Sequence, residues 1–88
     1  MIKTLKVSKN TKAKSLAASI IYSLEDKNCF INICCIGKIS TMIAVDALAI
    51  INTSFNDIKY SFQPHYESIR DKEGRIRTAL IWEVKDIK

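Results

Sequence analysis

Glycine and proline are scarce in this sequence, which has two glycines and one proline in 88 residues. Because these residues interrupt regular backbone, their scarcity predicts that helices and strands occupy most of the chain. Two glycines are also too few for the glycine-rich loops that cradle nucleotide phosphates. No apolar run approaches the roughly 20 residues that span a bilayer. The N-terminus, charged from Lys3 onward, lacks the apolar core of a signal peptide. We therefore predict a protein without a membrane partner.

Soft metal ligands are equally few, with three cysteines and one histidine, His65. An odd number of cysteines without a signal peptide argues against a disulfide framework. Cys34 and Cys35 are adjacent, so in a strand they point to opposite faces and cannot easily share a metal ion. The sequence therefore predicts buried free thiols, no metal, no cofactor and a reducing, cytoplasmic location.

Groups suited to catalysis are also sparse. His65 stands between Pro64 and Tyr66, at the expected end of a strand, where a surface position is its simplest interpretation. Asp46 has no second carboxylate at helical spacing with which to form an acid–base pair. We therefore predict that the protein is not an enzyme and has no small-molecule substrate.

The net charge of +5 is concentrated near the start of the chain. Five lysines precede the first acidic residue, Glu25, whereas the rest of the chain holds nine basic and nine acidic residues. These lysines are Lys3, Lys6, Lys9, Lys12 and Lys14. A one-sided positive field attracts polyanions such as nucleic acids. The alternative is that they are ordinary solvated surface lysines.

Hydrophobic periodicity predicts six regular elements. Alternation of apolar residues predicts a strand over 4–7, and a single apolar stripe predicts a helix over about 12–27. A strand over 29–36 is apolar on both faces, as expected for a buried parallel strand. The remaining predicted elements are a second, more buried helix that runs to about Asn52, a third strand at 58–63 and a fourth at 75–85.

Polar residues and proline predict the boundaries of these elements. Predicted helix caps are Ser8, Asn10 or Thr11 for the first helix, and Ser40 or Thr41 for the second. Pro64 either ends the third strand or marks it as an edge strand. The polar segment 65–74 closes with a turn at 71–74. The continuous apolar segment 79–82 predicts that the last strand lies inside the sheet.

The element order βαβαββ predicts a two-layer α/β domain over residues 1–88. Both helices are expected on one face of a four-stranded sheet, with right-handed crossovers. Several ferredoxin-like and ribosome-associated domains share similar orders, so the order by itself does not fix the function.

Short segments along the chain resemble the stage V sporulation protein S family. They are Leu5-Lys6-Val7-Ser8, Ser15-Leu16-Ala17, Ile36-Gly37, Ala44-Val45, Ala47, Ala49-Ile50 and the segment from Glu73 to Ala79. Three of the regions are also similar to the wider Alba superfamily of nucleic-acid-binding proteins: Gly37-Lys38, Ala44-Val45-Asp46 and Glu73-Gly74-Arg75. The resemblance covers nearly the whole chain, and it rests on the order and spacing of the segments.

This resemblance implies an Alba-like fold, in which the four-stranded sheet is mixed and the last strand is interior. It also implies a homodimer with nucleic acid, DNA or RNA, as its partner. Two contact regions are implied, the loop after the first strand and the last hairpin. The corresponding residues here are Lys9, Lys12 and Lys14 in the first region and Arg70, Lys72, Arg75 and Arg77 in the second. Lys38 is expected at the same sheet end as the loop, because parallel strands end together.

Two hypotheses about function remain open at this stage. Phosphates are bound by cations on flexible side chains, such as the lysines and arginines named above. The sequence shows no pattern of residues that would recognise particular bases. The first hypothesis is therefore a regulatory nucleic-acid-binding protein of low sequence selectivity. Acidic residues interleave with the basic residues of the hairpin, however, so this hairpin is alternatively a salt-bridged, solvated arm. The second hypothesis is a dimeric protein-interaction module in sporulation or development, which would act through its second helix and the edge strand near Pro64.

Overall fold

The described part of the chain folds into six regular elements. The computed structural model describes residues 2–25, 30–54 and 60–86. The elements are β1 (Ile2–Val7), α1 (Ala13–Leu24), β2 (Phe30–Cys35), α2 (Lys38–Ser54), β3 (Tyr60–Arg70) and β4 (Ile76–Asp86). Their order, βαβαββ, confirms the predicted α/β class.

The strands form one sheet in the order β1-β2-β4-β3. β1 pairs parallel to β2, and β4 pairs antiparallel to both β2 and β3. The sheet is therefore mixed, and β4 lies inside it, as the apolar segment 79–82 predicted. β1 and β3 form the two edges.

The main hydrophobic core lies between the sheet and the helices. Successive side chains of a strand point to opposite faces, so alternate residues of each strand face the helices. The buried core residues are Val7, Leu16, Ala17, Ile20, Leu24, Ile31, Ile33, Cys35, Ala44, Ala47, Leu48, Ile51 and Val84. Each fully buried isoleucine among them contributes about 1.5–3 kcal/mol relative to an exposed side chain. Residues of both helices share this core, which confirms the two-layer architecture.

The opposite face of the sheet carries a second, smaller apolar cluster. Cys34, Ala79 and Ile81 are buried there, and Ile36 and Ile69 pack against them. Cys34 and Cys35 therefore point to opposite faces, as their adjacency in a strand predicted. In the described part of the chain both helices pack on the other side, so neither of them covers this cluster.

Helix α1 lacks the side-chain cap that the sequence predicted. It begins after Lys12, whose side chain makes no capping hydrogen bond in the described part of the chain. The predicted caps at Ser8, Asn10 or Thr11 are therefore wrong. These residues close their own turn instead: Thr11 Oγ1 accepts a hydrogen bond from the Ser8 N–H, and Ser8 Oγ accepts one from the Asn10 N–H. The helix ends at Leu24, while its predicted end at residue 27 lies outside the described residues.

Helix α2 begins earlier than predicted. Gly37 has a φ of 87°, a left-handed conformation that glycine adopts readily, and the helix begins directly after it. Ser40 and Thr41 lie inside the first turn, so the predicted caps are wrong. Their hydroxyls donate hydrogen bonds back to the carbonyls of Ile36 and Gly37. The helix also runs past the predicted end at Asn52.

Helix α2 is also less buried than predicted. Ile39, Met42 and Val45 are exposed by 61%, 59% and 40% of their surface. The sheet and α1 cover one side of the helix, so apolar side chains on its other side face solvent. These three residues form what we call the α2 stripe.

Strand β3 is longer than predicted and passes through Pro64. Residues 65–70, predicted as polar loop, continue the strand opposite β4. Pro64 pairs with Trp82 in an edge strand, which tolerates proline because one side of its backbone has no ladder partner. The edge-strand interpretation is confirmed, and the interpretation that Pro64 ends the strand is wrong. The predicted strand residues 58 and 59 lie outside the described residues.

Two further observations bear on the class of protein. Of the helices in the described ranges, none is long and apolar enough to cross a membrane. The described residues also include no group of three or more histidine, cysteine, aspartate or glutamate side chains placed to hold a metal ion.

Candidate nucleic-acid interface

One end of the sheet gathers the regions that the sequence predicted as contacts. The parallel strands β1 and β2 end together, with Val7 opposite Cys35. The loop 8–12 and the start of α2 therefore leave the sheet at the same end, as predicted for Lys9 and Lys38. Cys35 also pairs with Leu80, so residues 76–79 of β4 continue past the end of β2. The hairpin of β3 and β4 thus projects beyond this end as an arm, which we define as residues 66–80.

The start of α1 forms one side of a shallow groove. Lys12, Lys14 and Ser15 line it opposite Asp46 and other residues of α2, and we call it the helix groove. The Leu16 N–H donates the first helical hydrogen bond, to the Lys12 carbonyl at 2.9 Å. The N–H groups of residues 13–15 therefore have no partner within the helix. Together with the two lysines they make this helix start electropositive, while Asp46 offsets part of that charge.

A second groove lies between the arm and the ends of β1 and β2. It has a volume of about 340 Å³, and we call it the arm groove. Its lining residues are Lys6, Val7, Cys34, Ile36, Ile69, Arg70, Asp71 and Lys72. Three of these are cations, one is an acid and four are apolar or weakly polar. The arm groove is therefore a positively charged surface with an apolar floor.

Asp71 organises the turn at the tip of the arm. Its Oδ1 accepts hydrogen bonds at 2.9 Å from the N–H groups of Glu73 and Arg75. Its Oδ2 lies 3.3 Å from Arg75 Nε and 3.6 Å from Arg77 Nη1. Gly74, whose φ is 81°, closes the turn that the sequence predicted at residues 71–74. A single carboxylate thus holds the backbone of the turn and pairs with two arginines.

The pKa of Asp71 is held below its ordinary value by this arrangement. Partial desolvation by itself would raise the pKa. The backbone N–H groups of Arg75 and Glu73, the Arg75 side chain and the charge of Arg77 outweigh that effect. Asp71 is therefore ionised at neutral pH, and its charge is already satisfied by the arm.

The cations of the arm differ in whether a carboxylate faces them. Arg75 pairs with Asp71 and also with Glu73 at 2.8 Å, so the salt-bridged interpretation holds for Arg75 and Arg77. Arg70 Nη1 instead donates a hydrogen bond to the Gly74 carbonyl at 2.8 Å, which leaves its charge uncompensated. Lys72 forms no ion pair with any described residue. The arm therefore presents Arg70 and Lys72 as its available cations.

The predicted site residues are thus divided between separate surfaces. Lys12 and Lys14 line the helix groove, and Arg70 and Lys72 line the arm groove. Arg75 and Arg77 lie in the tip network. Lys9 and Lys38 are exposed at the same end of the sheet but are not among the residues that line either groove.

The residues predicted from the sequence as contacts did not include Lys6, which the structure adds as a candidate. Lys6 lines the arm groove beside Arg70, on the opposite edge strand. A signal for it was present, because Lys6 is out of phase with Leu5 and Val7, which face the helices. That parity places Lys6 on the other face, where only the tertiary structure brings the arm alongside it.

The two described cysteines, Cys34 and Cys35, have no features of reactive thiols. Burial raises the pKa of Cys35 to about 11, and the neighbouring Cys34 adds to the shift. Burial also raises the pKa of Cys34, and Glu67 adds to this, although the positive charge of Lys6 acts against it. Both are free thiols, and at neutral pH both remain protonated. The third cysteine, Cys29, lies outside the described residues.

Comparison with known proteins identifies one matching family. A family model described as stage V sporulation protein S matches residues 3–87, nearly the whole chain. No curated protein matches the chain.

Proposed function

The chain belongs to the stage V sporulation protein S family, and on that premise we propose that it is a regulatory nucleic-acid-binding protein of low sequence selectivity. Family membership supports a sporulation-related role for this small protein. The proposal describes a binding protein and not an enzyme. It sets the protein in the cytoplasm, the reducing compartment in which the free thiols of Cys34 and Cys35 persist.

The observation that carries the proposal is the charge balance of the arm groove. Lys6, Arg70 and Lys72 contribute three positive charges to it, and Asp71 contributes one negative charge. That negative charge is already engaged by Arg75 and Arg77. The three groove cations therefore act as an uncompensated positive patch, which is the basic requirement for contact with phosphates.

Further lysines extend this positive surface along the same end of the sheet. At this end of the sheet, the lysines that form no ion pair with any described residue are Lys6, Lys9, Lys12, Lys14, Lys38 and Lys72. The arm and the loop 8–12 both project there, so a polyanion that enters the arm groove passes close to the other cations. Contacts of this kind neutralise phosphates and do not read base edges, which favours low sequence selectivity.

Binding across a salt series tests the proposal. Fluorescence anisotropy with a labelled 20-base-pair duplex and a matched single strand would show affinity that falls steeply as salt rises. The double change Lys12→Glu and Lys14→Glu is expected to weaken binding strongly. The matched control is the double change Lys3→Glu and Lys85→Glu, which alters the charge equally at the opposite end of the sheet. Binding without salt dependence, or an equal loss in both double variants, would refute the proposal.

The α2 stripe favours a second candidate function, a dimeric protein-interaction module. Its three apolar side chains are exposed at successive positions three residues apart. A contiguous apolar patch on an otherwise polar surface is typical of a site for a protein partner. A second copy of the chain is the simplest occupant, because a homodimer is the assembly that the Alba resemblance implies.

A further inference from the structure

We propose that the sheet face opposite the helices binds single-stranded nucleic acid, with unpaired bases on its apolar floor and phosphates on the cations of its rim. This inference rests on the proposed function and names the form of nucleic acid that the protein takes. Its site is wider than the arm groove and includes residues that the Alba resemblance did not single out.

The site is a trough that crosses the whole sheet. A second groove of about 330 Å³ adjoins the arm groove on this face, and the two share Lys6, Cys34, Ile69 and Arg70. The lining of the second groove comes from all four strands, with Thr4 on β1 at one edge. Strand twist explains why residues of the two edge strands line one groove, since a twisted sheet curves its open face. We call the two grooves together the trough.

The floor of the trough is apolar. Cys34 and Ile81 lie on the neighbouring strands β2 and β4, and they are only 8% and 5% exposed although neither helix covers them. Ile69 packs against them from β3. Neighbouring side chains already cover most of Cys34 and Ile81, so the apolar surface open to a base is that of the half-buried Ile36 and Ile69. Such aliphatic side chains can contact the face of a base, whatever its identity. A floor of this kind retains bases without discriminating among them.

The rim of the trough carries the charges that phosphates need. Lys6, Arg70 and Lys72 are cations without a carboxylate partner among the described residues. In the described part of the chain only two acids line the trough, Glu67 and Asp71, and Asp71 pairs with the arm arginines, so the three cations outnumber the acids. The net charge that a ligand meets in the trough is therefore positive.

Because cations of the rim lie next to the apolar floor, the trough favours an unpaired strand over a duplex. Lys6 pairs with Cys34 in the register of β1 and β2, and both line the two grooves, so a cation stands directly beside the apolar floor. A phosphate held by Lys6 therefore brings its own nucleotide over the floor. In a duplex that base is stacked and paired, and it must be extruded at a cost in free energy before it can occupy the floor. A single strand has no such cost.

Two single variants of equal charge change test the inference. Lys6→Glu lies in the trough and Lys14→Glu lies in the helix groove. Anisotropy titrations would use a 12-nucleotide single-stranded DNA, the matching RNA and the corresponding duplex, over a salt series. We expect the unchanged protein to bind the single strands about 10-fold more tightly than the duplex. Lys6→Glu is expected to reduce the slope of log affinity against log salt concentration by roughly 0.7, which is the contribution of one phosphate on a single strand. Lys14→Glu is expected to leave the preference for single strands intact.

A third variant distinguishes the contribution of the apolar floor to binding from that of the cationic rim. Ile69→Ala removes an apolar contact without changing charge, so it is expected to weaken single-strand binding roughly 3-fold at an unchanged salt slope. If Lys6→Glu does not fold, as judged by circular dichroism, Lys6→Gln replaces it with half the charge change.

The possible outcomes distinguish this inference from the proposed function. Equal losses of single-strand affinity in Lys6→Glu and Lys14→Glu, or tighter binding of the duplex, would overturn the proposal that the trough binds single strands. The proposal that the protein binds nucleic acid would still stand. An Ile69→Ala variant that binds single strands as well as the unchanged protein would also overturn it. Binding to none of the three polymers would overturn both proposals and leave the protein-interaction module as the candidate function.

Discussion

Lys6 and Arg70 line the same two grooves although they stand on opposite edge strands of the sheet. β2 and β4 separate β1 from β3, so a flat sheet would hold these two side chains far apart. Twist and the projection of the arm bring them to one surface. The positive patch is therefore a property of sheet curvature as much as of composition.

Asp71→Asn is expected to strengthen nucleic-acid binding. Asparagine keeps the side-chain oxygen that accepts the N–H groups of Glu73 and Arg75, so the turn is retained. The change removes a negative charge and frees Arg77 for a phosphate, while Arg75 keeps its ion pair with Glu73. Affinity should rise roughly 3- to 10-fold and the salt slope should steepen by about one. Anisotropy over a salt series measures both.

The control for Asp71→Asn is Glu25→Gln, which makes the same charge change at an exposed position outside the trough and the arm. Glu25 directly follows Leu24, at the end of α1 that lies away from the loop 8–12. An equal rise in affinity in both variants would mean that net charge alone matters and that the arm arginines take no part.

Cys35 is expected to make the protein less stable in alkaline solution. Its pKa is raised to about 11 in the folded state, whereas an unfolded cysteine titrates near 8.5. The stability that comes from the protonated thiol is therefore fully present below about pH 8.5, and it is lost as pH rises through 11. The free energy of unfolding should fall by at most about 1.4 kcal/mol per pH unit from this group.

Urea denaturation at several values between pH 8 and pH 11 measures this effect. Lysines and tyrosines titrate in the same range, so the informative quantity is the difference from Cys35→Ala. That variant lacks the thiol and should lose less stability with rising pH. If the free energy of unfolding falls with pH equally in the two proteins, the raised pKa of Cys35 is contradicted.

Met42→Lys is expected to weaken self-association through the α2 stripe. Met42 lies between Ile39 and Val45 and is 59% exposed, so the change leaves the core intact and alters stability by no more than about 0.5 kcal/mol. A charge placed in the centre of an apolar contact must be desolvated when a second copy docks, which shifts the equilibrium towards monomer.

Sedimentation over a range of concentrations measures this equilibrium. Ser19→Lys adds the same charge at an exposed position of α1, away from the stripe, so it is expected to associate like the unchanged protein. Sedimentation of the unchanged protein as a monomer at every concentration would exclude the stripe as a surface for a second copy.

The sequence predicted the element types and their order because hydrophobic periodicity is a local property. The apolar run at 79–82 was enough to place β4 inside the sheet, and the adjacency of Cys34 and Cys35 was enough to place them on opposite faces. Boundaries were less predictable where local signals compete. Pro64 is a strand breaker in an interior strand but is tolerated in an edge strand, and only the pairing of β3 with β4 decides between these cases.

Capping was mispredicted for a similar reason. Ser8 and Thr11 are typical capping residues, yet their hydroxyls bond to the backbone and to each other within the loop. A hydroxyl group satisfies whichever N–H lies nearest, and this distance depends on the path of the loop.

The sequence by itself determined the α/β class, the strand and helix order and the concentration of lysines in the first quarter of the chain. Only the tertiary structure decided which cations act together. Asp71 pairs with Arg75 and Arg77, two of the predicted contact residues, and the curved sheet brings Lys6 alongside Arg70 and Lys72. The physical reason is that periodicity depends on neighbours along the chain, whereas electrostatic compensation depends on distances across it.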